Sequence, residues 1–293
     1  MKPLRLAMWS GPRNISTAMM RAWENRGDCA VVDEPLYAHY LSYTGLEHPA
    51  RAEVIAAGET EWRKVAAQLT GPVPGDKAIW YQKHMTHHLL PHIERGWLAK
   101  LTHVFLIRDP REVLLSYLRS RPRVTAEDIG VLQQLEIFEH VQRLSGVTPP
   151  VIDAGEFLQT PEAQLRALCD RLGIGFSPRM LSWPAGARAS DGVWAPYWYA
   201  TVQRSTGFEP YRVRERAVPR QWQSIIATLM PAFEALFERR TDFPLARRHF
   251  SFGGIFATIA IAGVLSCVAL LIKQAARPQV AEAGAPKAES FGH

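Results

Sequence analysis

With 293 residues, 47% of them hydrophobic, the chain can bury a sizeable core and fits one large domain or two small ones. A formal net charge of +6 favours anionic ligands or a membrane surface, but the basic residues are interleaved with acidic ones, so nucleic acid is not the expected partner. Three cysteines, Cys29, Cys169 and Cys267, lie too far apart for a metal spacing or a disulfide framework, which points to a reducing compartment.

The first apolar run, Leu4 to Trp9, predicts a strand, and Ser-Gly-Pro-Arg-Asn follows it before a helical pattern from Ser16 to Asn25. Free backbone N–H groups at such a helix start make an anion site together with the helix dipole. Arg13 adds a forked charge suited to phosphate or sulfate oxygens. No Gly-Lys-Ser/Thr follows Gly11, so the loop is not a Walker loop and ATP or GTP hydrolysis is not expected. The same residues also read as a capped strand-to-helix turn carrying a surface arginine.

A second strand is expected at Cys29 to Val32, with Glu34 just beyond it and ahead of Pro35. A helical pattern spans Arg51 to Leu69, a third strand Ala78 to Gln82, and Lys83 and His84 stand at its end. The next helical pattern runs from Thr86 to Ile93. His84, His87, His88 and His92 recur there at spacings of three and four, which puts imidazoles on one helix face as zinc sites do. There is no His-Glu-x-x-His and Pro91 interrupts the turn, so no metal is expected and the histidines are read as lining an acceptor pocket. A fourth strand, His103 to Ile107, stops at Arg108, and Pro110 opens a helix over Arg111 to Arg119 with Ser116 about two turns along. Helices at Ala126 to Leu144 and Pro161 to Leu172 flank a last strand, Val151 to Asp153. Strands alternating with helices predict an α/β fold: a central parallel sheet with helices on both faces and ligands beyond the carboxyl ends of the strands.

Further on, Trp194, Tyr197, Trp198 and Tyr199 cluster too densely for a simple amphipathic element and read either as walls for adenine or an apolar acceptor, or as a satellite core. From Phe250 to Ile272 no residue is charged, and a helix of that length spans roughly 34 Å, which predicts a single transmembrane helix. Gly254, Thr258, Ala262 and Ser266 form a small-residue stripe on it that suits a transmembrane partner or self-association. Residues 273–293 read as a disordered polar tail, and residues 1–245 as the main domain. The start of the chain is too short in apolar residues for a signal peptide, and Arg239, Arg240, Arg247 and Arg248 precede the span, so the main domain is expected on the cytoplasmic side.

The stretch SGPRNIST resembles the 5'-phosphosulfate loop of sulfotransferases that use 3'-phosphoadenosine 5'-phosphosulfate (PAPS), and FLIRDPREVLLSYLRS closely resembles the 3'-phosphate motif of that family. The segment PPVIDAGEFLQTPEAQLRALCDRLGIGF is similar to the family's later strand, acidic loop and helix, so the likeness covers roughly residues 4 to 176 in order. It implies a P-loop-like three-layer α/β fold, with PAPS across the strand ends and sulfonate transfer to an acceptor hydroxyl or amine. By position, Arg13 would meet the transferring sulfonate, Asn14, Ile15, Ser16 and Thr17 would supply donors, and Arg108 and Ser116 would bind the 3'-phosphate. Ile15 stands where the family often has glycine, and the family's C-terminal Arg-Lys-Gly loop has no counterpart. Two residues are candidates for the base: Glu34, similar to the glutamate of several bacterial and Golgi members, and His84, similar to the Lys-Thr-His region of cytosolic members. Lys83 would act on the bridging or sulfonate oxygens. A second reading is a non-catalytic accessory subunit with the same fold, docked in a membrane complex through its helix.

Overall fold

The computed structural model of the chain describes residues 3–121, 123–213 and 216–241. Its centre is a five-stranded sheet of β1 (Leu4–Ser10), β2 (Cys29–Asp33), β3 (Ile79–Met85), β4 (Thr102–Ile107) and β5 (Val151–Asp153), in the order β2-β3-β1-β4-β5. Every pairing is parallel, with Leu6 opposite Tyr81 on one side and Thr102 on the other. The strands are apolar because both faces are covered.

Side chains alternate across a strand, so each strand feeds two cores. Ala7, Trp9, Phe105 and Ile107 point to one face, and Leu6, Met8, Val104 and Leu106 to the other. The second face is covered by α1 (Ser16–Glu24), whose Met19, Met20 and Trp23 are fully buried. Three short helices follow: α2 (Tyr37–Thr44), α3 (Arg51–Ala57) and α4 (Trp62–Thr70). After β4 come α5 (Pro110–Tyr117), α6 (Ala126–Ile129) and α7 (Val131–Ser145), and after β5 come α8 (Ala154–Gln159) and α9 (Pro161–Arg171). Phe157 of α8 and Leu165, Leu168 and Cys169 of α9 join α1 on its face of the sheet.

Two turns, α10 (Ala195–Trp198) and α11 (Ala200–Arg204), lead to α12 (Gln223–Glu238). No helix is expected at α12 from the sequence, and Pro231 lies inside it at a cost of about 3 kcal/mol. Burial of Leu229, Ala232, Phe233 and Leu236 against the first face offsets that cost, at roughly 1.5–3 kcal/mol per large side chain.

Three expected elements come out differently. The single helix over Arg51 to Leu69 is broken at Gly58, where a Cβ would stand 2.5 Å from that of Ala38. The helix over Ala126 to Leu144 is interrupted at Gly130, which takes φ 76°. The helix over Thr86 to Ile93 is a single tight turn, Thr86–His88, and β3 before it runs three residues past Gln82 to Met85. Among the described residues no helix is long and apolar enough to cross a membrane. The expected span at 250–272, its small-residue stripe and the tail at 273–293 lie outside the described residues.

Candidate functional site

A cavity of roughly 340 Å³ opens at the carboxyl ends of β1 to β4, where the strand order changes direction about β1. Arg13 to Thr17, Arg108 and Ser116, drawn from two loops about a hundred residues apart in sequence, all line it. Asn14 ties the loop down: its amide oxygen accepts from Ile15 N at 2.8 Å, and its Nδ2 donates to Leu106 O at 3.1 Å. No side chain caps α1 and its first turn holds no acid, so the backbone N–H groups of Ser16, Thr17 and Ala18 face the cavity with the positive end of the dipole. Arg13 takes φ 55°, a left-handed conformation rare for a residue with a side chain, and its Nε donates to Ser116 Oγ at 3.0 Å. Arg108 donates to Arg13 O at 2.7 Å and pairs with Glu112 at 3.1 Å, so the two loops are locked together. Ile15 takes φ −85°, which any residue adopts, so the backbone here does not require a glycine.

The opposite wall is built at the ends of β2 and β3. Glu34 follows β2 with φ 42°, again left-handed, and its N–H donates to Lys83 O at 2.9 Å. Lys83 is 1% exposed, and its Nζ donates to Asp33 Oδ1 and Glu34 Oε1, both at 2.8 Å, and to the Tyr199 hydroxyl at 2.6 Å. That hydroxyl donates in turn to Asp33 Oδ2 at 2.6 Å and accepts from Trp194 Nε1 at 3.1 Å. Burial opposes the charge on Lys83, but Asp33 and Glu34 outweigh it and hold the ammonium protonated, its pKa well above the ordinary lysine value. Burial raises the Glu34 carboxyl above the usual glutamate range and Asp33 adds to the rise, while Lys83 pulls against it. Because its protons are committed to these partners, Lys83 acts in the free site as the anchor of Glu34.

The histidines divide by strand parity. Lys83 and Met85 face the cavity, whereas His84 points through the other face of β3, stacks on Trp9 at 4.4 Å and is 1% exposed. Burial there lowers its pKa to about 3. Of the two residues expected as the base, only Glu34 reaches the cavity. His87 and His88, on the turn after β3, line it, and His92 lies apart, stacked on Tyr43 at 3.9 Å. The four imidazoles therefore do not share a helix face, as they would had the strand stopped at Gln82. Among the described residues no group of three or more metal-ligand side chains is placed to hold an ion.

The aromatic segment both lines the cavity and builds a satellite core. Trp198 and Tyr199 line the cavity, and Trp194, Ala195 and Tyr199 pack with Tyr37, Tyr40 and Leu41 of α2 in a satellite core. Sequence reasoning assigned no role to Asp33, Tyr37 or Tyr40. Asp33 stands beside Glu34 in sequence, but only the fold shows that its carboxylate shares Lys83.

Comparison with known proteins adds three likenesses. Residues 4–240 match the family described as "Sulfotransferase domain". Two Arabidopsis thaliana proteins, branched-chain-amino-acid aminotransferase-like proteins 1 and 2, are 36% and 34% identical over 80% and 78% of this chain. The chain spans only 42% and 40% of their lengths. The solved sulfotransferase from Alicyclobacillus acidocaldarius is 12% identical with a TM-score of 0.45, over 82% of this chain and 98% of that one.

Proposed function

The chain belongs to the sulfotransferase domain family, and from that premise we propose that it moves a sulfonate group from PAPS to an acceptor. One observation carries the reading: the anion-binding loop and the Glu34–Lys83 pair open on the same cavity.

Arg13 and the N–H groups of Ser16, Thr17 and Ala18 would hold the phosphosulfate end, and Arg108 and Ser116 the 3'-phosphate. The donor, when bound, supplies an activated sulfonate: a bond forms from the acceptor heteroatom to sulfur while the bond from sulfur to the 5'-phosphate oxygen breaks, leaving its electron pair on that oxygen. Such transfers resemble phosphoryl transfer, in which the protein contributes chiefly position and charge. Glu34 takes the acceptor's proton, and its raised pKa brings it closer to neutrality as a base. Lys83 fixes the orientation of that carboxylate, and Tyr199 ties the aromatic segment to the same ammonium. The membrane tether rests on the sequence of residues 250–272 alone.

The aminotransferase-like names belong to longer proteins, of which the match to this chain covers only 42% and 40%. Schiff-base chemistry needs a neutral lysine amine, and among the described residues the one lysine lining this cavity is held charged by two carboxylates. The accessory-subunit reading has no observation in its favour among the described residues.

Calorimetric titration of the full chain with 3'-phosphoadenosine 5'-phosphate, with ADP as control, tests the proposal. Binding that requires the 3'-phosphate supports it. Absence of binding to either nucleotide would reduce the loop to a helix cap and refute it.

A further inference from the structure

We propose that His88 is a positioning residue which, together with Glu34, grips the acceptor's nucleophilic group and restricts it to a hydroxyl rather than an amine. The inference rests on the reading of Glu34 as the base.

The two oxygens of Glu34 face different partners. Oε1 is bonded to Lys83 at 2.8 Å, while Oε2 lies 4.0 Å from His88 Nδ1. That gap is too long for a direct hydrogen bond. A single oxygen about 2.8 Å from each atom would bridge them, once the side chains that close Nδ1 off in the free site give way to it. His88 is 2% exposed, yet its Nδ1 has no hydrogen-bond partner, and both side chains line the cavity. A buried polar nitrogen without a partner calls for an explanation, and an acceptor atom in the gap provides one.

The imidazole is already aimed. The rings of Tyr37 and Tyr40 stack against it at 4.6 and 4.7 Å, with interplanar angles of 6° and 30°. Both tyrosines come from α2, so the helix that follows Glu34 also orients His88. Burial keeps the ring neutral, and neighbouring His87, His48 and Lys83 disfavour a further positive charge. With a carboxylate oxygen facing Nδ1, the favoured tautomer carries its hydrogen on that nitrogen.

Lone pairs then decide the acceptor. Between Nδ1–H and Oε2, the acceptor atom must receive one hydrogen bond, donate another and still attack sulfur. A hydroxyl oxygen has two lone pairs: one receives the His88 N–H, the second forms the bond to sulfur, and the O–H proton passes to Glu34 Oε2. An amine nitrogen has one lone pair, and spending it on His88 leaves none for attack. An ammonium has only donors and meets the Nδ1–H with a hydrogen of its own.

The test uses the full chain with nitrogen-15-labelled histidine. Nitrogen NMR should show His88 protonated at Nδ1. With 3'-phosphoadenosine 5'-phosphate present, saturating phenol should shift that nitrogen, and anisole, which lacks the donor, should not. With PAPS, the wild type should sulfonate phenol at least roughly a hundredfold faster than aniline, as for a site built to bond a hydroxyl. His88→Asn, whose amide N–H reaches the place of Nδ1–H, should keep that preference, and His88→Phe, which keeps a ring between the tyrosines, should lose it. A hydrogen on Nε2, no response to phenol, or equal rates on the two acceptors would overturn the inference. Calorimetry with the nucleotide separates the two failures: no binding refutes sulfonate transfer itself, whereas binding accompanied by the wrong tautomer refutes only the role of His88.

Discussion

The two walls of the cavity handle charge in opposite ways. The wall proposed for the donor keeps the uncapped start of α1 and Arg13, whose Nε donates to a serine hydroxyl, at the rim, and of its charges only Arg108 is paired, with Glu112, among the described residues. The acceptor wall buries its charges and closes them on one another, so that Lys83, Asp33, Glu34 and Tyr199 form a satisfied network. A loop built on backbone N–H groups presents donors that no side-chain charge has to supply. A buried network does structural work as well, because an ion left without its partner in a low dielectric costs several kcal/mol.

The contrast is broken most directly at Lys83. Lys83→Met should destabilise the full chain by about 3–5 kcal/mol in denaturant unfolding, since it strands Asp33 and Glu34; stability within error of wild type would mean that the network is dispensable. Glu34→Gln should spare nucleotide affinity and lower turnover by roughly 10²–10⁴. The wild-type rate should rise with pH through a pKa above the ordinary glutamate value, because the base must lose a proton whose release burial disfavours. An acid limb at or below the ordinary value would count against Glu34. On the donor wall, Arg13→Ala and Arg108→Ala should each weaken 3'-phosphoadenosine 5'-phosphate binding by about 1.5–3 kcal/mol, and Arg13→Ala should leave the unfolding midpoint in place. The smallest effect is expected at His84: His84→Gln should leave turnover per folded molecule unchanged, because that ring lies behind the sheet against Trp9.

The same contrast decides how much was legible in the sequence. The donor wall is written in two contiguous stretches, each a strand running into a helix, and all of its expected residues line the cavity. The five strands were legible from apolar runs. Where β3 ends was not, since Gln82, Lys83 and His84 look like a surface turn until their partners are known. Gln82 donates to Leu69 O, Lys83 has its network and His84 has Trp9. Missing those three residues hid which way Lys83 and His84 point, because parity along a strand assigns every side chain its side. Tyr199 reaches Lys83 across 116 positions, and no local pattern encodes such a pairing.

Arg13 and Glu34 both bend the chain left-handedly, at φ 55° and 42°, in the two turns that face each other across the cavity. Replacing Arg13 with glycine would relieve a backbone cost on the order of 1–3 kcal/mol, whereas the same change at Glu34 would also remove a buried partner of Lys83. An engineer selecting only for heat resistance would therefore be drawn to Arg13, whereas a selection that also scored turnover would leave it untouched.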